Sequence, residues 1–347
     1  MLLDKIDIDI DFDKCQSERQ QKTETLMTPY LAAFADAMRA ADRSIRPDVG
    51  ETPLLRSAAL SQALGCEIYL KCEQMHSVGS FKLRGATNKL RQFGNAAAPH
   101  VITASTGNHG QAVAVAAARR GISVQVYVPS STPDIKLEGM RRLGATLVLC
   151  EGDALAAELA GADAARRAGM PFIAPYNDRD VIAGQSTIGL EIARQLPDVE
   201  NVFLSVGGGG LASGVGLALA LDAPRARLHG CWSDAAVAMY RSLEAGHIVE
   251  TEDEDTIADG AAGNVETGSI TFPICQEVLA SRILVPEADI WQAMRTLVQS
   301  DRMIVEGAAG LALAGAIQEA PRLAGRKVVI VLCGRNLSAS YLHRLLA

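Results

Sequence analysis

Short, mostly apolar runs of four or five residues recur along the chain from Tyr30 onward, at Glu67–Leu70, Val101–Ala104, Val124–Val128, Thr146–Leu149, Val202–Val206 and Val328–Leu332. Between them lie stretches of helix-forming composition, among them Ala112–Arg120, Leu137–Leu143, Ala154–Ala168 and Leu211–Leu221. Buried strands alternating with helices predict an α/β fold in which a largely parallel sheet is covered on both faces. In such sheets ligands gather beyond the carboxyl ends of the strands. Three of these strands run directly into loops of unusual composition.

The first 29 residues read differently and form an N-terminal extension. Ile6–Asp13 alternates apolar residues with Asp, a strand-like period, ahead of the polar run Gln16–Glu24. An edge strand or an arm accounts for this better than a calcium loop, because the Gly turn that such a loop requires is missing. Glu250–Asp255 is a short acidic run of the kind found in solvated loops. Internal repeats and low-complexity linkers are absent.

With 347 residues, 48% of them apolar, the chain suits two lobes or one large domain with an insertion. Aromatics make up only 4% and the net charge is -7, so neither stacking platforms nor a polyanion partner is indicated. Seven cysteines (15, 66, 72, 150, 231, 275 and 333) never fall at CxxC spacing. That pattern excludes a zinc ribbon, gives no sign of a disulfide framework and points to a reducing cytoplasm. No basic region precedes an apolar run at the N-terminus, and no stretch reaches membrane-spanning length, so the expectation is a soluble, unexported protein without a membrane partner.

Four segments carry candidate chemistry. In Ser80-Phe81-Lys82-Leu83-Arg84-Gly85-Ala86 a lysine sits among small and apolar residues before a predicted helix. A desolvated lysine loses basicity, and its neutral amine forms an imine with an aldehyde. Alone, it reads first as a snorkelling lysine at a helix start. Ser105-Thr106-Gly107-Asn108-His109 opens the Ala-rich helix, where hydroxyls, an amide and free backbone N–H groups suit a carboxylate or simply an N-cap. Gly207-Gly208-Gly209-Gly210-Leu211-Ala212 joins a strand to a helix and leaves main-chain amides unscreened for a phosphate. The same stretch satisfies a dinucleotide pattern, with Asp234 about twenty positions on as the acidic partner. Finally, Cys333 follows the last strong strand, where a small donor faces a ring nitrogen or a structural cysteine is merely buried.

In this order and spacing, together with Asp180–Gln185, Ala258-Asp259-Gly260 and Glu306, the segments resemble the threonine dehydratase and serine racemase family of pyridoxal phosphate enzymes, of tryptophan synthase β-like fold type II. The similarity runs from Thr52 to Asn336. It implies a large cofactor-binding lobe from residues 30–99 and 177–347, with a small mobile lobe inserted at 100–176. It makes Lys82 the Schiff-base lysine, Phe81 a neighbour of the cofactor ring and Asn108 the partner of its phenolic oxygen. Gly207, Gly208, Gly209, Gly210 and Leu211 hold the phosphate, while Cys333, with Glu306 near that end, faces the pyridine nitrogen. Ser105, Thr106, Asn108 and His109 surround the substrate carboxylate. A homodimer or larger homo-oligomer is implied, as is α,β-elimination of a small β-hydroxy amino acid to a 2-oxo acid and ammonia.

Departures from the family pattern refine this expectation. Trp232 and Ala238 stand where serine racemase binds a divalent cation, so no metal is expected there. Thr106 replaces the racemase's second base, which favours elimination over the alternative of racemisation. Ser186 stands for a usual Gly, and Gly263–Ile270 differs in the loop that lines the substrate pocket, leaving threonine, serine, 3-hydroxyaspartate and phenylserine all open. The chain ends soon after Cys333, so a C-terminal regulatory domain is not expected.

Overall fold

The computed structural model describes residues 29–93, 100–105, 107–132 and 134–346; Ile6–Asp13, Gln16–Glu24, Cys15 and Thr106 lie outside these. Ten strands are present among the described residues: β1 (Leu54–Arg56), β2 (Glu67–Lys71), β3 (His100–Ala104), β4 (Ser123–Pro129), β5 (Thr146–Cys150), β6 (Phe172–Ile173), β7 (Asn201–Ser205), β8 (Arg227–Ser233), β9 (Leu279–Val285) and β10 (Lys327–Val331). The helices are α1 (29–44), α2 (Ala58–Leu64), α3 (Lys82–Arg91), α4 (Asn108–Ala118), α5 (Asp134–Arg142), α6 (Ala154–Ala168), α7 (Arg179–Gln195), α8 (Gly210–Asp222), α9 (Ala238–Ala245), α10 (Thr271–Val278), α11 (Glu287–Asp301), α12 (Gly307–Glu319) and α13 (Ala339–Leu346).

Two sheets result. One has the order β1-β2-β10-β7-β8-β9 and is parallel except for β1, and the other, β5-β4-β3-β6, is parallel throughout. All six predicted strands are present, with ends shifted by a residue or so. β8 and β9 escape an apolar-run reading because they carry polar residues with partners inside the sheet. His229 of β8 stacks on Phe203 at 4.4 Å and hydrogen-bonds Asn201 and Ser281. α4 begins at Asn108, four residues before the predicted Ala112, which puts the candidate carboxylate loop directly at its N-terminus.

The six-stranded sheet buries Ile68, Leu70, Phe203 and Val328–Val331 beneath α8 and α12, whose Ala and Gly residues admit close packing. The core of the second sheet joins Val101, Val124, Val126 and Val128 to the Ala-rich face of α4. It also takes in Leu83, Ala86 and Leu90 of α3 and the upstream residues Ile45 and Val49. α3 therefore gives its apolar face to the second sheet's core.

Beneath the start of α3 lies a charged network with no exposed side chain at its centre. Arg84 donates Nε to Glu73 at 2.7 Å and Nη1 to Glu191 at 2.5 Å, and Lys71 donates to Glu191 at 2.6 Å. Burial pushes both carboxyls up, yet the Arg84 guanidinium outweighs it and holds both below the usual 4.5. Because their folded pKa values lie below the unfolded ones, their contribution to stability is complete above about pH 5 and disappears as pH falls through the folded values. Removing the guanidinium takes from buried Glu73 its arginine and leaves Glu191 to Lys71 and Arg46, so Arg84→Met is expected to lose about 3–5 kcal/mol in urea unfolding at neutral pH. A loss under about 1 kcal/mol would show that the carboxylates find other partners.

Candidate active site

Three strand exits converge. β7 passes through Val206 into Gly207–Gly210, and the left-handed φ of Gly209, 84°, turns the chain into α8. Among the described residues no acceptor receives the backbone N–H groups of Gly207 through Ala212. They cluster at the positive end of a 13-residue helix dipole. Gly208 is required sterically, since a Cβ there would lie 2.5 Å from the Tyr176 ring.

β10 leaves through Leu332, Cys333 and Gly334, and the segment before α3 is sewn to it. The Phe81 N–H donates to the Cys333 carbonyl at 3.0 Å, and the Arg335 N–H donates to Gly79 at 2.9 Å. Ser80 and Gly334 form an antiparallel bridge between them. Lys82, the first residue of α3, is thus fixed opposite the end of β10, with Nζ donating to the Pro175 carbonyl at 2.8 Å. That Nζ also lies 5.3 Å from the Phe81 ring centroid.

The third exit is from β3. Gly107 donates its N–H to Ser105 Oγ at 3.1 Å, and Asn108 begins α4. Asn108 Nδ2 donates to Glu306 Oε1 at 2.8 Å, and its Oδ1 accepts from Asn336 Nδ2 at 2.5 Å. The Asn336 N–H returns to Glu306 Oε2 at 2.9 Å, closing a ring that holds three distant segments together.

Desolvation lowers the Lys82 amine to about 8, against the upward pull of Glu158, Cys333 and Glu306. His109 falls to about 3 through burial, helped by Lys82, so its ring is neutral at ordinary pH. Its Nε2 donates to the Ile173 carbonyl at 2.9 Å, and the buried Nδ1 therefore carries a bare lone pair. Burial, then Glu306, pushes the Cys333 thiol well above its usual range, so it remains an S–H group, 3.6 Å from Ser205 Oγ.

One cavity of about 880 Å³ brings these groups together: Phe81, Lys82, Ser105, Asn108, His109, Gly207–Leu211, Glu306 and Cys333 all line it. Asp234, the acidic residue of the dinucleotide pattern, does not. Trp232 and Ala238 are buried outside it, and Ser186 hydrogen-bonds within α7. The sequence reading passed over Tyr176, Glu158 and Asn336, which also line the cavity. Only the nearness of Tyr176 to Asp180–Gln185 and of Asn336 to Cys333 offered a hint. Glu158 sits in a helix of ordinary composition and gave none.

Residues 45–334 match the family described as "Pyridoxal-phosphate dependent enzyme". The chain belongs to that family. An L-threonine ammonia-lyase of Geobacter sulfurreducens is 38% identical over 312 residues, covering 90% of this chain and 76% of that protein. The processed form of threonine deaminase isoform 2 from Solanum lycopersicum superposes with a TM-score of 0.86 at 34% identity, over 92% of this chain and 93% of that one. Maize serine racemase gives 0.83 at 28% identity, over 90% and 96%.

Pyridoxal phosphate is the cofactor, and the nicotinamide reading of the glycine loop gives way. The residues present fit it: an amine of lowered basicity stands in the same cavity as six N–H groups that have no acceptor among the described residues. Gly208→Ala should weaken pyridoxal phosphate binding at least about tenfold in an absorbance titration, because the Tyr176 ring occupies the space a methyl needs. Combining it with Tyr176→Ala should recover part of the loss; no recovery would place the clash elsewhere.

Proposed function

We propose that this enzyme removes the β-hydroxyl of threonine or serine, releasing a 2-oxo acid and ammonia. The observation that carries the reading is the single cavity in which a weakly basic lysine faces two helix N-termini, α8 with its glycine loop and α4 with its polar loop. Similarity to threonine ammonia-lyases and deaminases over most of the chain supports it.

In this reading Lys82 holds the cofactor through Nζ, beside Phe81, and Gly207–Leu211 hold its phosphate. Asn108, oriented by Glu306 and Asn336, meets the phenolic oxygen. The cofactor supplies an electron sink for negative charge developing at the substrate Cα. Ser105, Thr106, Asn108 and His109 receive the α-carboxylate at the N-terminus of α4. His109 serves through its backbone N–H, since its ring offers no proton on the free side. Lys82 Nζ, when free as a neutral amine, would accept the Cα proton. The Lys82 ammonium so formed would return that proton to the β-hydroxyl, which would leave as water with no net proton taken up. Cys333, kept as a thiol, offers the ring nitrogen a neutral partner and so a weaker electron pull, which suits elimination over longer-lived carbanions.

The large lobe of residues 30–99 and 177–347 and the small lobe of 100–176 complete the reading, with the small lobe closing to exclude water. So does assembly as a homodimer or larger in the cytoplasm, with which six free cysteines among the described residues agree. No helix among the described residues is long and apolar enough to cross a membrane. Racemisation is the second reading, favoured by the fold shared with maize serine racemase.

The purified enzyme should show cofactor absorbance that Lys82→Ala abolishes, and should release ammonia and 2-oxo acid from threonine or serine in step. Optical inversion outpacing keto-acid release would instead establish the racemase. Cys333→Asp is expected to raise racemase or transaminase side activity, and unchanged partitioning would remove the role given to the thiol.

A further inference from the structure

Two helix N-termini with uncharged donors open into the cavity, the glycine loop at α8 and Ser105, Gly107, Asn108 and His109 at α4. Under the function proposed above, which this inference rests on, the cofactor phosphate and the substrate α-carboxylate take them. Among the described residues Lys82 is the only Lys or Arg side chain lining the cavity, and His109 is neutral. Six carboxyl side chains line it as well: Asp153, Glu158, Glu252, Asp253, Asp259 and Glu306. Four of these are exposed at the rim, where salt screens them. Glu158, on α6, is less exposed, and its charge is felt by Lys82 and Tyr176 on the cavity wall.

We infer that Glu158 selects the substrate side chain, admitting β-substituents without negative charge and rejecting a second carboxylate, so that threonine and serine are accepted and 3-hydroxyaspartate is not. Among the described residues a second carboxylate entering this cavity meets no cation other than Lys82, which the cofactor engages, and it adds to a wall rich in carboxyl groups, a repulsive element of the kind that sets specificity. Glu158 itself shows how unfavourable another charge is. Desolvation, reinforced by Glu266, lifts its carboxyl to about 7, even with Lys82 pulling it down.

The test compares L-asparagine with L-aspartate, nearly isosteric and differing in one charge, by titrating the absorbance of the holoenzyme at about pH 9, where the Glu158 carboxyl, lifted to about 7, is ionised. Asparagine should bind at least about tenfold more tightly, and Glu158→Gln should bring the two within about threefold. Glu158→Ala, which needs no precise placement of a new side chain, should close the gap likewise. Equal or tighter binding of aspartate to the wild type overturns the inference, as does a gap that persists in both variants. Binding does not require turnover, so a holoenzyme that releases no keto acid from threonine or serine would end the elimination reading and leave this titration decisive.

Discussion

Everything in the site depends on the seam between the segment leaving β10 and the segment that starts α3. Two backbone hydrogen bonds, which together make the Ser80–Gly334 bridge, hold Gly79–Phe81 against Cys333–Arg335. They settle how far Lys82 stands from the thiol at the end of the sheet. A flexible lysine on an unpinned loop would sample many positions, whereas the first residue of a helix pinned at its N-terminal end does not. Arg84 completes the fixation one half-turn later by tying α3 to Glu73 beside β2 and to Glu191 on α7. The network's value lies in position: a buried ion pair seldom stabilises more than apolar packing would, but it tolerates few alternative arrangements.

The electrostatic design is economical in charge. Among the described residues Lys82 is the only Lys or Arg on the cavity wall, and two helix N-termini open into the cavity. Donors of this kind keep their orientation when the ligand is absent, so little reorganisation is needed when it binds. They also leave the lysine without a strong counter-ion, and desolvation then decides its basicity.

Much of this was legible in the sequence wherever the requirement was local. Four consecutive glycines announce a backbone cradle within one stretch of chain, whereas the lysine amid small residues gained its reading only from the order and spacing of the other motifs. The α/β alternation was legible for the same reason. Hidden features depended on partners far away in sequence. Asn108 and Glu306 are 198 residues apart, and no local pattern predicts their hydrogen bond. β8 was masked because His229 and its partners satisfy one another only after the sheet forms. Tyr176 matters to Gly208 solely through the space its ring occupies.

The core of the four-stranded sheet does not stop where its strands stop. Leu83, Ala86 and Leu90 belong to it, and they are carried by the helix that begins with Lys82. A segment running from β3 to β6, lifted out or exchanged for that of a relative, would leave behind part of its own interior. Modularity in this fold is therefore limited by the lysine helix, and any graft that alters the smaller sheet's interior also alters the bed on which the reactive amine rests.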